Sequence, residues 1–344
     1  AYRPKRSERS VPPESFLGAL SVGIRFVRHS PDFQAVLFRS GAFVFFVVVF
    51  WALLPLTSRS LVRTTATGYG LLLGALGVGA VMGGLLLLSL RRRFGPERPT
   101  LVATLAYAGA IAGLSQAPPL GVAVVLMLLC GAAWSIVLST MSVSAQILLP
   151  SWVRARGLAA SMSMIFGSMG VGSLVWGVLC TRVGLPATLE VAAFGLVLAH
   201  GTSFFFRLPR GEGPNLEPAK IRPLPSYSTE IAGDEGPVLI LVEYDVASED
   251  ELAFGEAAAN LRAVRMRSGA LSWNLYRDPD RPGYYVEAFL DRSWHDHLRL
   301  HHRATMADRA VEDEVLSFHR GQMPPVTHHL VAAMKLPTTR LGNA

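Results

Sequence analysis

The residues best suited to chemistry stand together near the end of the chain. The run Ser293-Trp294-His295-Asp296-His297-Leu298-Arg299-Leu300-His301-His302-Arg303-Ala304-Thr305 holds four histidines, and His297 and His301 stand four apart. That spacing puts both imidazoles on one face of a helix, an arrangement metal sites use. Trp273 and Asn274, shortly upstream, are residue types that could serve an oxidation. Spacing assigns no third ligand, however, and the His-Glu-x-x-His pattern is absent. The expectation is therefore a structural or dimerising segment, with no catalytic residue, no metal and no cofactor. Arg299, Arg303 and Arg309 then form a solvated face or meet anionic lipid headgroups.

A second set of candidates lies in strongly apolar stretches, where an ionisable group is functional by default. Glu190, His200 and Arg39 are such groups. Glu190 is a candidate for a transport path, or else an interfacial residue near Arg182. Arg39 reads as an anchor whose long side chain reaches back to the interface. No Asp or Glu stands at the middle of an apolar stretch, so a proton-coupling carboxylate is expected elsewhere. Trp51, Trp134, Met162 and Phe166 could line a path for a hydrophobic small molecule. Their competing role is packing or lipid contact.

These residues need elements to hold them, and the elements are membrane spans. A hydrocarbon core about 30 Å thick needs roughly 20 apolar helical residues, since lipid offers backbone groups no partner. Six stretches qualify: 33–56, 68–90, 100–115, 120–149, 158–180 and 185–206, the third and fourth divided at Gln116-Ala117-Pro118-Pro119. The net charge is +7, but the basic residues cluster in short loops as orientation signals, so no nucleic-acid partner is expected. Arg91, Arg92, Arg93, Arg98, Arg154, Arg156 and the basic residues of 1–32 and 207–222 fall on one side; only Arg59, Arg63 and Arg182 fall on the other. The first side, with both termini, is read as the cytoplasmic side of the plasma membrane. Cys130 and Cys180 sit in apolar stretches as small hydrophobes. The second and fifth spans are rich in Gly, with Gly79, Gly83, Gly170 and Gly172 among them. Small residues let helices approach closely in lipid, either in ordinary packing or at a moving interface with another bundle.

Residues 207–236 read as a linker rich in Pro, Gly and charge. The strands 238–245, 270–277, 284–290 and 326–334 and the helices 249–267 and 293–319 then give the order βαββαβ, which is ferredoxin-like. Val238, Ile240, Val242, Tyr284, Val286 and Ala288 are expected to share one apolar sheet face, covered by a second copy so that 237–335 dimerises. Residues 336–344 are read as a disordered tail.

The six spans, the loop Arg91-Arg92-Arg93-Phe94-Gly95-Pro96-Glu97-Arg98 and the run Pro150-Ser151-Trp152-Val153-Arg154-Ala155-Arg156-Gly157 together resemble the second half of a major facilitator superfamily transporter. The first loop is similar to that family's Asp-Arg-x-Gly-Arg-Arg turn, with Arg92 in place of Asp and Pro96-Glu97 in place of the Arg pair. Arg93, Gly95, Arg154 and Arg156 are gating or interface candidates on this resemblance. Tyr284-Tyr285-Val286-Glu287 and the histidine-rich run resemble the appendix of the transmembrane secretion effector branch, related to the enterobactin exporter. The domain itself is similar to antibiotic-biosynthesis-monooxygenase domains. The resemblance implies a membrane all-α fold followed by a small α+β domain. It also implies a proton-driven exporter of an amphipathic metabolite, siderophore or drug, with membrane lipid and a small-molecule substrate as partners. The second and fifth spans would face another six-helix half. The start at Ala1, basic and without Met, reads as internal, so that half is expected before it or on a second chain. The alternatives are a membrane-anchored monooxygenase-like enzyme and a regulatory half-transporter.

Overall fold

The computed structural model describes residues 16–204, 208, 213–219 and 232–333. The basic residues before Phe16, most of the linker and the tail 336–344 lie outside the described residues. The chain divides into two units, one of residues 31–149 and 154–214, the other of residues 1–30, 150–153 and 215–344.

The first unit is a helical bundle: α2 (Pro31–Ser60), α3 (Ala66–Phe94), α4 (Glu97–Ser115), α5 (Leu120–Ile147), α6 (Arg154–Val183) and α7 (Leu185–Gly201). Four of them, α2, α3, α5 and α6, are long and apolar enough to cross a membrane. The other two are shorter, α4 with 19 residues and α7 with 17. The breaks fall where the sequence puts them. Gly95 closes α3 at φ 72°, backbone that only glycine adopts without strain. Between α4 and α5, Ala117 takes φ 50° ahead of two prolines. Several hydroxyls inside the helices are satisfied by their own turns. Ser40 donates to Val36 O at 2.7 Å, Thr104 to Thr100 O at 2.8 Å and Thr140 to Ile136 O at 2.7 Å, as an apolar surrounding requires. The central helix is α2, with 67% of its most apolar window buried, whereas α6 has 11%.

The second unit is a four-stranded antiparallel sheet of β1 (Val238–Asp245), β2 (Ser272–Arg277), β3 (Tyr284–Asp291) and β4 (Thr327–Val331), in the order β2-β3-β1-β4. Helix α8 (Glu251–Ser268) connects β1 to β2, and α9 (Trp294–Arg303) and α10 (Met306–Ser317) connect β3 to β4. Phe254, Leu261 and Val264 of α8 with Leu300 of α9 bury Val238, Ile240, Val242 and Tyr244 of β1.

Three expectations change here. The helix expected over 293–319 is two helices. Thr305 caps α10 through a reciprocal pair with Asp308, its hydroxyl accepting from the Asp308 N–H while the carboxylate accepts from the Thr305 N–H at 2.8 Å. A capping box starts a helix, so Ala304-Thr305 divides the run. The sheet face is also revised. Ile240 pairs with Phe289 and Val242 with Glu287, so Tyr284, Val286 and Ala288 lie on the face opposite Val238, Ile240 and Val242. Finally, residues 16–28 of the expected loop form the helix α1 (Phe16–Arg28). In this unit Val22 and Phe26 are buried, Phe26 meets Trp152 edge-on at 5.8 Å, and Arg25 donates to Gly269 O and to Ala270 O at 3.0 Å.

Candidate functional site

One pair of opposite charges ties helix ends together in the helical unit. Arg39 is buried and grips Glu97 with two hydrogen bonds, of 2.7 Å and 2.9 Å. Glu97 also accepts from the Leu208 N–H at 2.6 Å, so one carboxylate joins α2, the start of α4 and the chain beyond α7. Arg39 is thus a paired, inward-facing group rather than an anchor reaching to the interface. Sequence reasoning missed the pair because its partners stand 58 residues apart; two opposite charges at the ends of apolar stretches were the only signal. Glu190 is exposed and accepts from Ser115 Oγ at 3.2 Å and Gln116 Nε2 at 2.9 Å. It fastens α7 to the end of α4, and Arg182 is not among its partners.

Of the proposed path residues, the structure brings two together. The rings of Trp51 on α2 and Trp134 on α5 lie 6.0 Å apart, and Trp134 lies 6.1 Å from Phe43. Phe43 in turn meets Tyr107, a fully buried residue that sequence reasoning passed over, edge-on at 6.0 Å. Trp51 is part-exposed, so this aromatic group opens from the core of the bundle to its surface. Met162 and Phe166 stand on the exposed side of α6. On the same helix Trp176 Nε1–H donates to the Phe45 carbonyl of α2 at 2.6 Å, a cross-helix bond that fixes their register.

The glycines separate into two classes. A Cβ at Gly79 would collide with the Leu128 backbone of α5, and one at Gly83 with the Ala132 backbone. Gly172 lies against α2, where a Cβ would come within 2.6 Å of Val48. These three serve contacts inside the bundle, which corrects their assignment to an interface with another one. Gly170 does face outward. An added Cβ meets nothing within 4 Å there, nor at Gly167 and Gly177 on α6 or at Gly70, Gly74 and Gly77 on α3. Each set falls on one side of its helix at 100° per residue. Val81, Leu85, Leu174 and Phe166 stand exposed on these same helices, so α3 and α6 each present an apolar surface with small residues in it.

The remaining candidates sit at helix ends. Arg93 is in the last turn of α3, where its charge suits the carbonyl end of the helix dipole. Arg154 and Arg156 are in the first turn of α6, where the same dipole opposes them. Helix stability is therefore not what places them.

In the second unit two histidines cluster around a buried third, His297. His297 is buried and bonds through Nδ1 to Asp291 Oδ2 at 2.9 Å and through Nε2 to His301 Nε2 at 3.3 Å. His329 of β4, unforeseen, places its ring 4.9 Å from that of His297. Burial lowers the His301 and His329 imidazoles to about 4, so both are neutral near pH 7. Among the described residues no three His, Cys, Asp or Glu side chains are placed to hold a metal ion. Arg303 is not solvated: it donates to Ser268 O at 2.8 Å and lies 4.8 Å over the Trp152 ring. Arg299 pairs with Asp296 at 2.6 Å and Arg309 with Asp313 at 3.1 Å. Trp273 donates to Glu287 at 2.9 Å, while Asn274 is exposed on the other face of the sheet.

A family model described as transmembrane secretion effector matches residues 1–337. No curated protein matches the chain.

Proposed function

Because the chain belongs to the transmembrane secretion effector family, whose members are major facilitator transporters rather than enzymes, we propose that it exports a small amphipathic molecule across the plasma membrane by alternating access, driven by the proton gradient. A siderophore or a drug fits that description. On this reading all six helices α2–α7 span, both termini are cytoplasmic, and the second unit is a ferredoxin-like appendix. Membership of a transporter family sets aside the alternative of a membrane-anchored enzyme.

The observation that carries the proposal is the pair of unpartnered faces on α3 and α6. Apolar residues with open glycines among them are what a helix needs to slide closely against another in lipid. A second six-helix half, on this chain or another, is the occupant that alternating access calls for. The aromatic group of Trp51, Trp134 and Phe43 would then line the substrate path, and the coupling carboxylate would belong to the other half. Transport of a fluorescent amphipathic dye into inverted membrane vesicles, with both halves present, tests this. Uptake should need the proton gradient and should fall at least tenfold in Gly170→Leu. Uptake that survives a protonophore, or is untouched by the substitution, would argue against the coupling or the interface respectively.

A further inference from the structure

The second unit encloses a cavity of about 230 Å³ between the sheet and its helices. Its walls are largely apolar, with Ile240, Val242, Phe289 and Leu300 among them, and His301 and His329 also line it. An apolar cavity of about 150 Å³ already takes up benzene, so this one has room for a second fused ring.

The charges around it are already matched. Arg265 is held by Glu287 and Glu312, each at 3.1 Å. Arg309 pairs with Glu312 at 3.3 Å, and Asp308 with Arg267. None of these cations is left over for an anionic guest, whose desolvation would go uncompensated. The His301 and His329 imidazoles are neutral near pH 7, and each neutral imidazole offers one N–H and one lone pair. The chain Asp291–His297–His301 orients one of them. His297 holds Asp291 through Nδ1 and His301 through Nε2, which leaves Nδ1 of His301 to meet an incoming hydroxyl, a group that can both donate and accept. The segment 215–219 runs along the break between α9 and α10, where Ala219 N–H donates to Ala304 O at 3.0 Å and Met306 N–H to Glu217 O at 2.9 Å. Ala219 and Ala304 are both part of the cavity wall, so the chain entering this unit from the helical one forms one side of the chamber.

We propose that this cavity is a binding site for an uncharged one- or two-ring aromatic molecule carrying a hydroxyl group, packed against the apolar wall and hydrogen-bonded to His301. The site is separate from the transport path and stands whether or not the export reading holds.

Calorimetric titration of the full chain in phospholipid nanodiscs at pH 7.5, with empty nanodiscs subtracted, tests it using 2-naphthol, naphthalene and 2-naphthoate. Saturable one-to-one binding of 2-naphthol is expected, with naphthalene and 2-naphthoate at least fivefold weaker. His301→Leu should lower 2-naphthol to the level of naphthalene and leave naphthalene unchanged. Val242→Phe fills the cavity from its floor and should abolish both. Thr327→Trp does so from an exposed position on β4, where the core is not disturbed. No saturable heat, binding indifferent to both filling variants, or 2-naphthoate binding as tightly as 2-naphthol would each overturn the proposal.

Discussion

At the scale of single residues, the part-buried pair Arg39–Glu97 makes the sharpest demand. Removing one partner leaves the other charge uncompensated, which costs up to about 3–5 kcal/mol where the pair is fully buried, while removing both costs far less. Glu97→Gln alone should therefore lower the midpoint of thermal unfolding in detergent more than Arg39→Gln/Glu97→Gln together. Equal losses would show the pair to be energetically idle. The histidines make a different demand. With folded values near 4 for His301 and His329, against roughly 6.5 in the unfolded chain, the unfolded state binds more protons between those limits. Stability should thus be whole above pH 6.5 and decline as pH falls from 6.5 to 4. Unfolding followed by tryptophan fluorescence should show this decline, and His301→Gln should flatten it. Neither feature was legible in the sequence beyond the residue types. His297 and His301 are neighbours by helical spacing, but Asp291 and His329 reach them only through the strand order.

At the scale of elements, helices were legible and registers were not. The six apolar stretches coincide with the helices α2–α7 to within a few residues at most ends, four of them long and apolar enough to cross a membrane, because uninterrupted apolarity over about 20 residues has few other outcomes. Which side of a helix meets what, by contrast, depends on crossing geometry. Gly79 and Gly170 looked alike in sequence, yet one is pressed against α5 and the other is open. Gly79→Leu should prevent assembly of the bundle, seen as loss of a monodisperse peak in size-exclusion chromatography, whereas Gly170→Leu should fold normally. Identical behaviour would contradict the division of the glycines. The same limit explains the sheet: alternation within β1 was correctly read, but the parity linking it to β3 is set by register, and a one-residue slip reverses the faces. The split of the last helical run turns on one cap. Thr305→Ala should cost about 1–2 kcal/mol, lowering the unfolding midpoint of this unit by roughly 5–10 °C.

At the scale of the molecule, the open sheet face bears Tyr276, Val286 and Leu330, with Tyr276 and Leu330 more than half exposed. A second copy is the proposed cover, since two-fold pairing is the commonest symmetry. Light scattering should then find the complete protein paired, and Leu330→Asp should yield single copies; no change of mass in that variant would exclude this face. Orientation is tested by fusions after Ala344, where green fluorescence and no periplasmic phosphatase activity are expected. The Lys/Arg asymmetry alone carries this expectation, whereas the packing of residues 16–28 was not legible in the sequence, because their partners are remote.

That remoteness has a consequence in time. Arg25 bonds to carbonyls 244 and 245 positions further along the chain, and the second unit gathers residues 1–30, 150–153 and 215–344 into one body. At a synthesis rate of about 5–20 residues per second, α1 waits on the order of 10–50 s for the surface it packs against. During that interval helices α2–α7 leave the ribosome before the sheet exists. The unit therefore completes last, only after synthesis has passed β4, and a ribosome that stalls before Gly269 leaves Arg25 without its carbonyls and Trp152 without Arg303.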